Sequence, residues 1–388
     1  MRTNYDYIVL GLGGLGSGAV YWLSRRAGRD VLAIEQFEMG HLRGGSQDHS
    51  RIIRLSYNSP VYVNLAKRAY ASWAEVEAEA GEPCVLKTGG LDFCHRVSAI
   101  PLDSYMESLT AERVPYEYLD AAEIMHRWPQ FQLTDDCHGI YQADGGIAMA
   151  ARCTAAHQRL ARAHGATLLE GLPITSVRSV ENEVEVVAGG TAFRCRKLVV
   201  TSGAWAPNIL EWLGQPLPLE VTQEQVTYFS SPHLEEFEPG RFPIWIWMDD
   251  PSFYGFPVFG ERATKIAQDA GGKTVTAETR SFEPDMENFQ RVEQWAQRYL
   301  PRALGPVLYT KTCLYTLTPD RDFVIDRIPG HQNIGIAICA GHAFKFASVI
   351  GRILSELSID GETPSDIATF AFDRPILRQK NPPRHYMV

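Results

Sequence analysis

Ile8-Val9-Leu10-Gly11-Leu12-Gly13-Gly14-Leu15-Gly16-Ser17-Gly18 decides how this chain begins to fold. Tyr7 to Leu10 is an apolar run that reads as a strand. Gly11, Gly13 and Gly16 follow in G-x-G-x-x-G spacing, and Ala19 to Ala27 reads as a helix that stops at Gly28. A second apolar run, Val31 to Ile34, ends in Glu35. In such a unit the first glycine permits the strand-to-helix turn. The second lets a pyrophosphate approach the backbone, and the third lets the helix pack closely on the strand. The helix N-terminus offers unpaired N–H groups and a positive dipole end to phosphates, and the terminal acid accepts from a ribose hydroxyl. The chain has 32 glycines, so the spacing alone is a weak signal. Strand, turn, helix, strand and acid together favour a dinucleotide site over a turn built only for packing. The pattern does not choose between FAD and NAD. Glu35 disfavours NADP, because a carboxylate repels a 2′-phosphate.

At 388 residues the chain exceeds the roughly 250–300 residues over which one core keeps growing, so two domains are expected. A formal charge of −9 offers no basic surplus for nucleic acid. No apolar run approaches the roughly 20 residues that span a bilayer, so no membrane partner is expected. Met1 to Asp6 lead straight into the first strand, which argues against a signal peptide. The seven cysteines are an odd number without a C-x-x-C pair, so neither a disulfide framework nor a metal site is expected. Cys94-His95 and Cys137-His138 are strand neighbours, whose side chains point to opposite faces. A reducing, cytoplasmic location is the default expectation.

Further along, Ser59-Pro60 reads as a helix start, with the helix running through Val76 to Gly81. Residues 85–94 read as strands, and 100–128 as mostly helical. Met149 to His164 reads as a helix and Trp205 to Leu213 as a shorter one. The runs 166–169, 174–177, 184–187 and 198–201 return to a buried sheet. Val221 to Ile266 is strand-rich and aromatic, which fits an antiparallel sheet carrying a binding surface. Glu287 to Leu300 reads as a helix. Ile334 to Cys339 is a strand ending in Ala340-Gly341-His342 before the closing helix, Phe344 to Leu357. This repeats the device at Gly11, so the C-terminus is expected to complete the cofactor domain.

The glycine turn, Ser50-Arg51-Ile52-Ile53-Arg54, Tyr254-Gly255-Phe256-Pro257, Lys265, Thr312-Cys313-Leu314-Tyr315-Thr316 and Gly341-His342-Ala343-Phe344-Lys345-Phe346 occur in one order. In this the chain resembles the monomeric sarcosine oxidase family, which includes N-methyltryptophan and pipecolate oxidases, over nearly its whole length. The resemblance implies FAD joined by a thioether from Cys313 to the C8 methyl group. It implies a substrate carboxylate held by Arg54 and Lys345, and a substrate pocket lined by Tyr254 and Tyr315. Arg51 matches an arginine near the flavin ring, and Lys265 the lysine of oxygen activation. Asp269 stands where several members carry histidine, and an acid there could meet the substrate amine. Carried over in the same way, the cofactor contacts are Gly11, Gly13, Gly16, Glu35 and Gln36 at the first turn. Ser50, Arg51, Val177, Gly203 and Trp205 follow, then Cys313, Gly341, His342, Phe344 and Lys345. Gln47 replaces a histidine of sarcosine oxidase, and Trp245 and Trp247 suggest a larger, aromatic pocket wall.

The expected fold is therefore a Rossmann-like FAD-binding domain of the glutathione-reductase type, residues 1–88, 149–222 and 323–388. A mostly antiparallel-sheet substrate domain, residues 89–148 and 223–322, is inserted into it. The expected activity is oxidation of a secondary-amine amino acid, such as an N-methyl amino acid, to the imine with O2 reduced to H2O2. The alternatives are a cyclic imino acid as substrate, an NAD-dependent dehydrogenase, or a flavin-binding protein without catalysis. The expected partners are a small amino acid and O2, and the expected state is a monomer.

Overall fold

The computed structural model describes residues 2–383 and 385–386. Its first layer is an eight-stranded sheet with a parallel centre. Asn4–Leu10 lies between Val31–Ile34 and Thr191–Val200, and Thr167–Leu169 and His331–Ile338 extend the parallel order on either side. Val31–Ile34 is buried at every position, as expected of a strand covered on both faces. Antiparallel strands Ile174–Val180, Glu183–Ala188 and Val324–Ile328 finish the sheet. The helices Gly14–Ala27, Ala150–Ala163 and Ala347–Ile359 pack together over it. Gly18 and Gly351 allow the first and last of these to touch. A Cβ on Gly351 would stand 2.3 Å from the Gly18 carbonyl carbon.

The second layer is a nine-stranded sheet, antiparallel except where Ile244–Trp247 runs parallel to Gly90–His95. The helix Met286–Tyr299 covers one of its faces. A small three-stranded sheet bridges the layers, with Gly146–Ala148 between Arg51–Ile53 and Val85–Lys87. No helix among the described residues is long and apolar enough to cross a membrane.

Local structure departs from the sequence reading in one stretch and adds detail to two others. Residues 100–128 are not mostly helical. The helix Asp103–Ala111 stops, Glu117–Asp120 pairs with Cys137–Gln142, and Ala121–Arg127 starts afresh. Pro115 cannot donate to a helix, and Asp120 caps the second helix by accepting from the Glu123 N–H at 2.8 Å. Ser59 occupies the N-cap of Pro60–Ala80 without a side-chain capping bond. Cys94 and His95 do point to opposite faces, yet each meets its counterpart across the ladder. His95 Nδ1 lies 3.4 Å from Cys137 Sγ, and His138 Nε2 lies 3.5 Å from Cys94 Sγ. All seven cysteines are free.

One histidine is expected to make the helical layer sensitive to acid. His157 is wholly buried, stacks between Tyr21 and Trp73 at 5.3 and 4.9 Å, and has no hydrogen-bond partner among the described residues on either nitrogen. Burial pushes its pKa down to about 3, against about 6.5 in an unfolded chain. The folded state thus favours the neutral ring. Its contribution is complete above about pH 6.5 and is lost, at about 1.4 kcal/mol per pH unit, as pH falls toward the folded value. His157→Leu is expected to shrink the drop in Tm between pH 7 and pH 5. Identical drops in both proteins would count against this origin.

Candidate active site

One cavity of about 650 Å³ runs from the glycine turn to the nine-stranded sheet. At its first end Gly11 has φ +89°, a left-handed value that favours glycine, and a Cβ on Gly16 would stand 1.8 Å from the Gly11 carbonyl oxygen. Ser46 reaches back over the turn and accepts from the Gly14 N–H at 2.8 Å. A Cβ on Gly13 would meet its Oγ at 2.9 Å. Glu35 is buried and accepts from the N–H groups of Leu12 and Phe37 at 2.8 and 3.1 Å, with His41 Nε2 at 3.4 Å. Burial alone would raise its pKa, but His41 and the two N–H groups outweigh that and lower it. Oε2, which accepts only from Leu12, keeps a lone pair for a ribose hydroxyl, whereas Oε1 meets both Phe37 and His41. Gln36, Gly203 and Trp205 line this end. Val177 does not. It is 1 % exposed within the core beside Phe193 and Val184, and from its strand Ile174 reaches the cavity.

At the other end, the register of the nine-stranded sheet collects the reactive side chains on one face. Asp92 is opposite Ile246, Ile246 opposite Tyr254, and Phe256 opposite Lys265. Lys265 is opposite Tyr228, and Glu224 is opposite Cys313. Directly paired residues project from the same face, and so do residues two apart on a strand. Asp269, Lys311 and Tyr315 therefore join this set, and all three line the cavity with Ile246, Tyr254, Lys265 and Cys313. Trp245 and Trp247, one residue out of phase, face the other way. They pack on Trp295 at 4.7 and 5.9 Å and are buried. They are core residues, not a pocket wall, and Ile246 takes the position expected of them.

The proposed carboxylate clamp comes together from distant segments. Arg54 follows the strand Arg51–Ile53 and is buried, with Nη1 donating to Asp92 at 2.8 Å. Burial opposes its charge, but Asp92 more than offsets this and raises its pKa. Lys345 sits on the turn Ala343–Phe346, held by Trp73 Nε1 donating to its carbonyl at 2.8 Å. Burial, with Arg54 nearby, pushes the Lys345 ammonium down to about 7. Its Nζ has no ion pair among the described residues. Asp269 accepts from the Tyr315 hydroxyl at 3.4 Å. Burial raises its pKa, against the pull of Lys345 and Arg54. Gly341, with φ +88°, lets the chain pass the Tyr315 ring, where a Cβ would stand 2.5 Å away.

A second cationic centre lies beside Ser50. Lys265 Nζ pairs with Asp48 at 2.7 Å and donates to the Ser50 carbonyl and hydroxyl oxygens at 3.1 Å each. Asp48 also pairs with Lys311 at 3.3 Å and accepts from the Tyr228 hydroxyl at 2.7 and 2.8 Å. Burial pushes Lys265 down to about 8, with Asp48 opposing and Arg51 adding to the shift. The Arg51 guanidinium gathers its own loop, donating to the carbonyls of Ser50, Gly45 and Gln47 at 2.8, 2.8 and 2.6 Å. It lies over Phe344 at 5.8 Å. Gln47 donates to the Thr312 carbonyl at 3.1 Å and ties the same loop to the Cys313 strand. His342 lines the cavity and is held to the Arg321 carbonyl at 3.1 Å.

Sequence reasoning missed Ser46, Asp48 and Asp92. Asp92 did leave a trace, as an acid between Leu91 and Phe93 in an apolar strand, where a buried partner is required. The other two sit in a polar loop where such residues are ordinary.

The residues present fit FAD. The cavity joins a helix N-terminus, whose close-approach glycines admit no Cβ, to a face bearing a cysteine, two tyrosines and two lysines, with Lys345 on the facing turn. A family model for FAD dependent oxidoreductases, DAO, matches residues 6–357. A monomeric sarcosine oxidase of Streptomyces avermitilis is 35 % identical over 379 residues, covering 95 % of this chain and 97 % of the relative. An N-methyl-L-tryptophan oxidase of Salmonella arizonae is 29 % identical over 377 residues, covering 95 % and 99 %. The open form of NikD, an unusual amino acid oxidase essential for nikkomycin biosynthesis, superposes with a TM-score of 0.85. It is 24 % identical and covers 98 % of this chain and all of that one. With the glycine turn, the cavity and the full-length matches in agreement, the chain belongs to the DAO family of FAD-dependent oxidoreductases, alongside the monomeric sarcosine and N-methyltryptophan oxidases.

Proposed function

We propose that this protein oxidises a secondary-amine amino acid, an N-methyl amino acid first of all, to its imine and reduces dioxygen to hydrogen peroxide. The observation that carries this reading is the pair Arg54 and Lys345, one a planar fork and the other a point charge, facing a cavity also lined by Tyr254, Tyr315 and Asp269. FAD, when bound, would accept two electrons, as hydride or its equivalent, from the carbon next to the amine nitrogen and pass them to oxygen. The chain supplies orientation and charge. Arg54 and Lys345 bind the carboxylate. The hydroxyls of Tyr254 and Tyr315 orient the substrate, and Asp269 accepts a hydrogen bond from the amine. Lys265, held by Asp48 and Ser50, stabilises negative charge developing on dioxygen. The cyclic imino-acid reading is less favoured, since the relatives described above are named for N-methyl substrates. A family built on FAD leaves no place for the nicotinamide reading.

The proposed domain division is 1–88, 149–222 and 323–388 against 89–148 and 223–322; its boundary at 222 falls inside the strand Glu220–Phe229 of the nine-stranded sheet. The seven free thiols fit a reducing cytoplasm. A panel of N-methyl and cyclic amino acids followed by peroxide release tests the substrate class. No activity on any secondary-amine carboxylate defeats the reading.

Cys313 is the proposed attachment point of FAD. The yellow colour is expected to stay with acid-precipitated wild-type protein and to leave Cys313→Ser completely. Flavin released from the wild type by acid would refute the thioether.

A further inference from the structure

One carboxyl on the working face has no part in amine oxidation as laid out above. Glu224 is 3 % exposed and stands directly opposite Cys313 in the ladder between Glu220–Phe229 and Val307–Leu317. Such pairs share a face, with Cβ atoms about 4.5–5.5 Å apart. The carboxyl sits in a built niche. Thr222 donates to its Oε1 at 2.6 Å, and Gly272 leaves the room it needs, since a Cβ there would stand 2.7 Å from Oε1. Its Oε2 is buried without a hydrogen-bond partner among the described residues. The other acids of the site are engaged, Asp48 of the preceding loop with two lysines and Tyr228, Asp92 with Arg54, and Asp269 with Tyr315.

The Cys313 thiol needs a proton acceptor. Burial pushes it up to about 11, despite Arg51, so little thiolate exists at neutral pH. Burial also pushes Glu224 up to about 7, against the Thr222 hydrogen bond, which makes it a competent acceptor there. We propose that Glu224 takes the proton of the Cys313 thiol when the thioether to FAD forms. This rests on the covalent reading above. In the step the Sγ–C bond forms at the C8 methyl carbon, while the S–H bond and one methyl C–H bond break. Two electrons pass through the ring system to dioxygen, which leaves as hydrogen peroxide with the two protons. Glu224 ends ionised, as it began.

The test adds saturating FAD in air to full-length chain produced under riboflavin limitation. Acid-stable flavin is followed with time, and quenching of flavin fluorescence reports non-covalent binding. Glu224→Gln is expected to bind FAD normally and to form acid-stable flavin about 10²-fold more slowly than wild type. Glu224→Asp, which keeps a carboxyl one methylene further back, is expected to regain part of that rate. Should the Gln variant fail to fold, Glu224→Asp alone must still be slower than wild type. A wild-type rate in either variant overturns the role of Glu224 and leaves the thioether standing. Wild-type flavin released entirely by acid overturns both.

Discussion

Lys265→Met is expected to slow reoxidation of the reduced enzyme by oxygen about 10²–10³-fold, while anaerobic reduction by substrate changes little. Nζ is the positive end of a buried pair with Asp48 at 2.7 Å and packs over the Phe256 ring at 4.5 Å. Negative charge arriving on dioxygen in this low-dielectric setting has no solvent to stabilise it, so a fixed cation carries a large share of the barrier reduction. Asp48 would not be stranded in the variant, because Lys311 and the Tyr228 hydroxyl still hold it. A loss of oxygen reactivity without a matching loss of stability is therefore expected. The pH profile gives a second reading. Lys265 is charged below about 8 and loses its proton above it, so the wild-type oxygen rate is expected to fall as pH rises through that value. The methionine variant is expected to show no such fall. Asp48, Arg51, Ser50 and Cys313 surround the lysine, and of these Asp48 is held well below the ordinary carboxylate range by Lys265 and Arg51 despite burial, so it stays ionised throughout. Stopped-flow measurement of the two half-reactions decides the matter. Equal reoxidation rates in both proteins would remove Lys265 from the oxygen step.

Arg54→Met is expected to strike substrate capture and stability together. The guanidinium is buried with Asp92, their side chains 5 % and 3 % exposed. Removing one member leaves the other charge buried without its partner, which costs about 3–5 kcal/mol. The same change removes the fork proposed to hold the substrate carboxylate, and kcat/KM is expected to drop about 10²–10³-fold. The two effects separate in Arg54→Met/Asp92→Asn. Taking away the stranded carboxylate is expected to restore much of the Tm, while kcat/KM stays low because Lys345 alone cannot offer two parallel N–H bonds. Full recovery of kcat/KM in the double variant would show that Arg54 serves only to neutralise Asp92. Thermal melts and steady-state kinetics on the two variants suffice.

Much of the molecule was legible in its one-dimensional pattern. The turn at Gly11, Gly13 and Gly16, the acid at Glu35 and the repeat of the device at Gly341 are local. Each follows from what a glycine permits within a few residues of itself, and the helices at 150–163 and 286–299 follow from apolar spacing and their stops. The motifs around Arg54, Lys265, Cys313 and Lys345 carried the family resemblance for the same reason, as short runs that keep their order. What the pattern could not supply was the sheet register. A strand repeats every two residues, so a slip of one exchanges its faces. Trp245 and Trp247 therefore read as a pocket wall until pairing with Gly90–His95 and Phe253–Phe256 turned Ile246 inward instead. The acids that tune the site were hidden for a related reason. Asp48 meets Lys265, Asp92 meets Arg54 and Glu224 meets Cys313 across separations of 217, 38 and 89 positions. The chemistry of each pair depends on burial that neither partner's neighbours in the chain reveal. Residue type and local spacing set the cofactor turn and the reactive groups. Their partners, their faces and their charge states arose only when the strands came into register, because pairing and desolvation are properties of the packed chain.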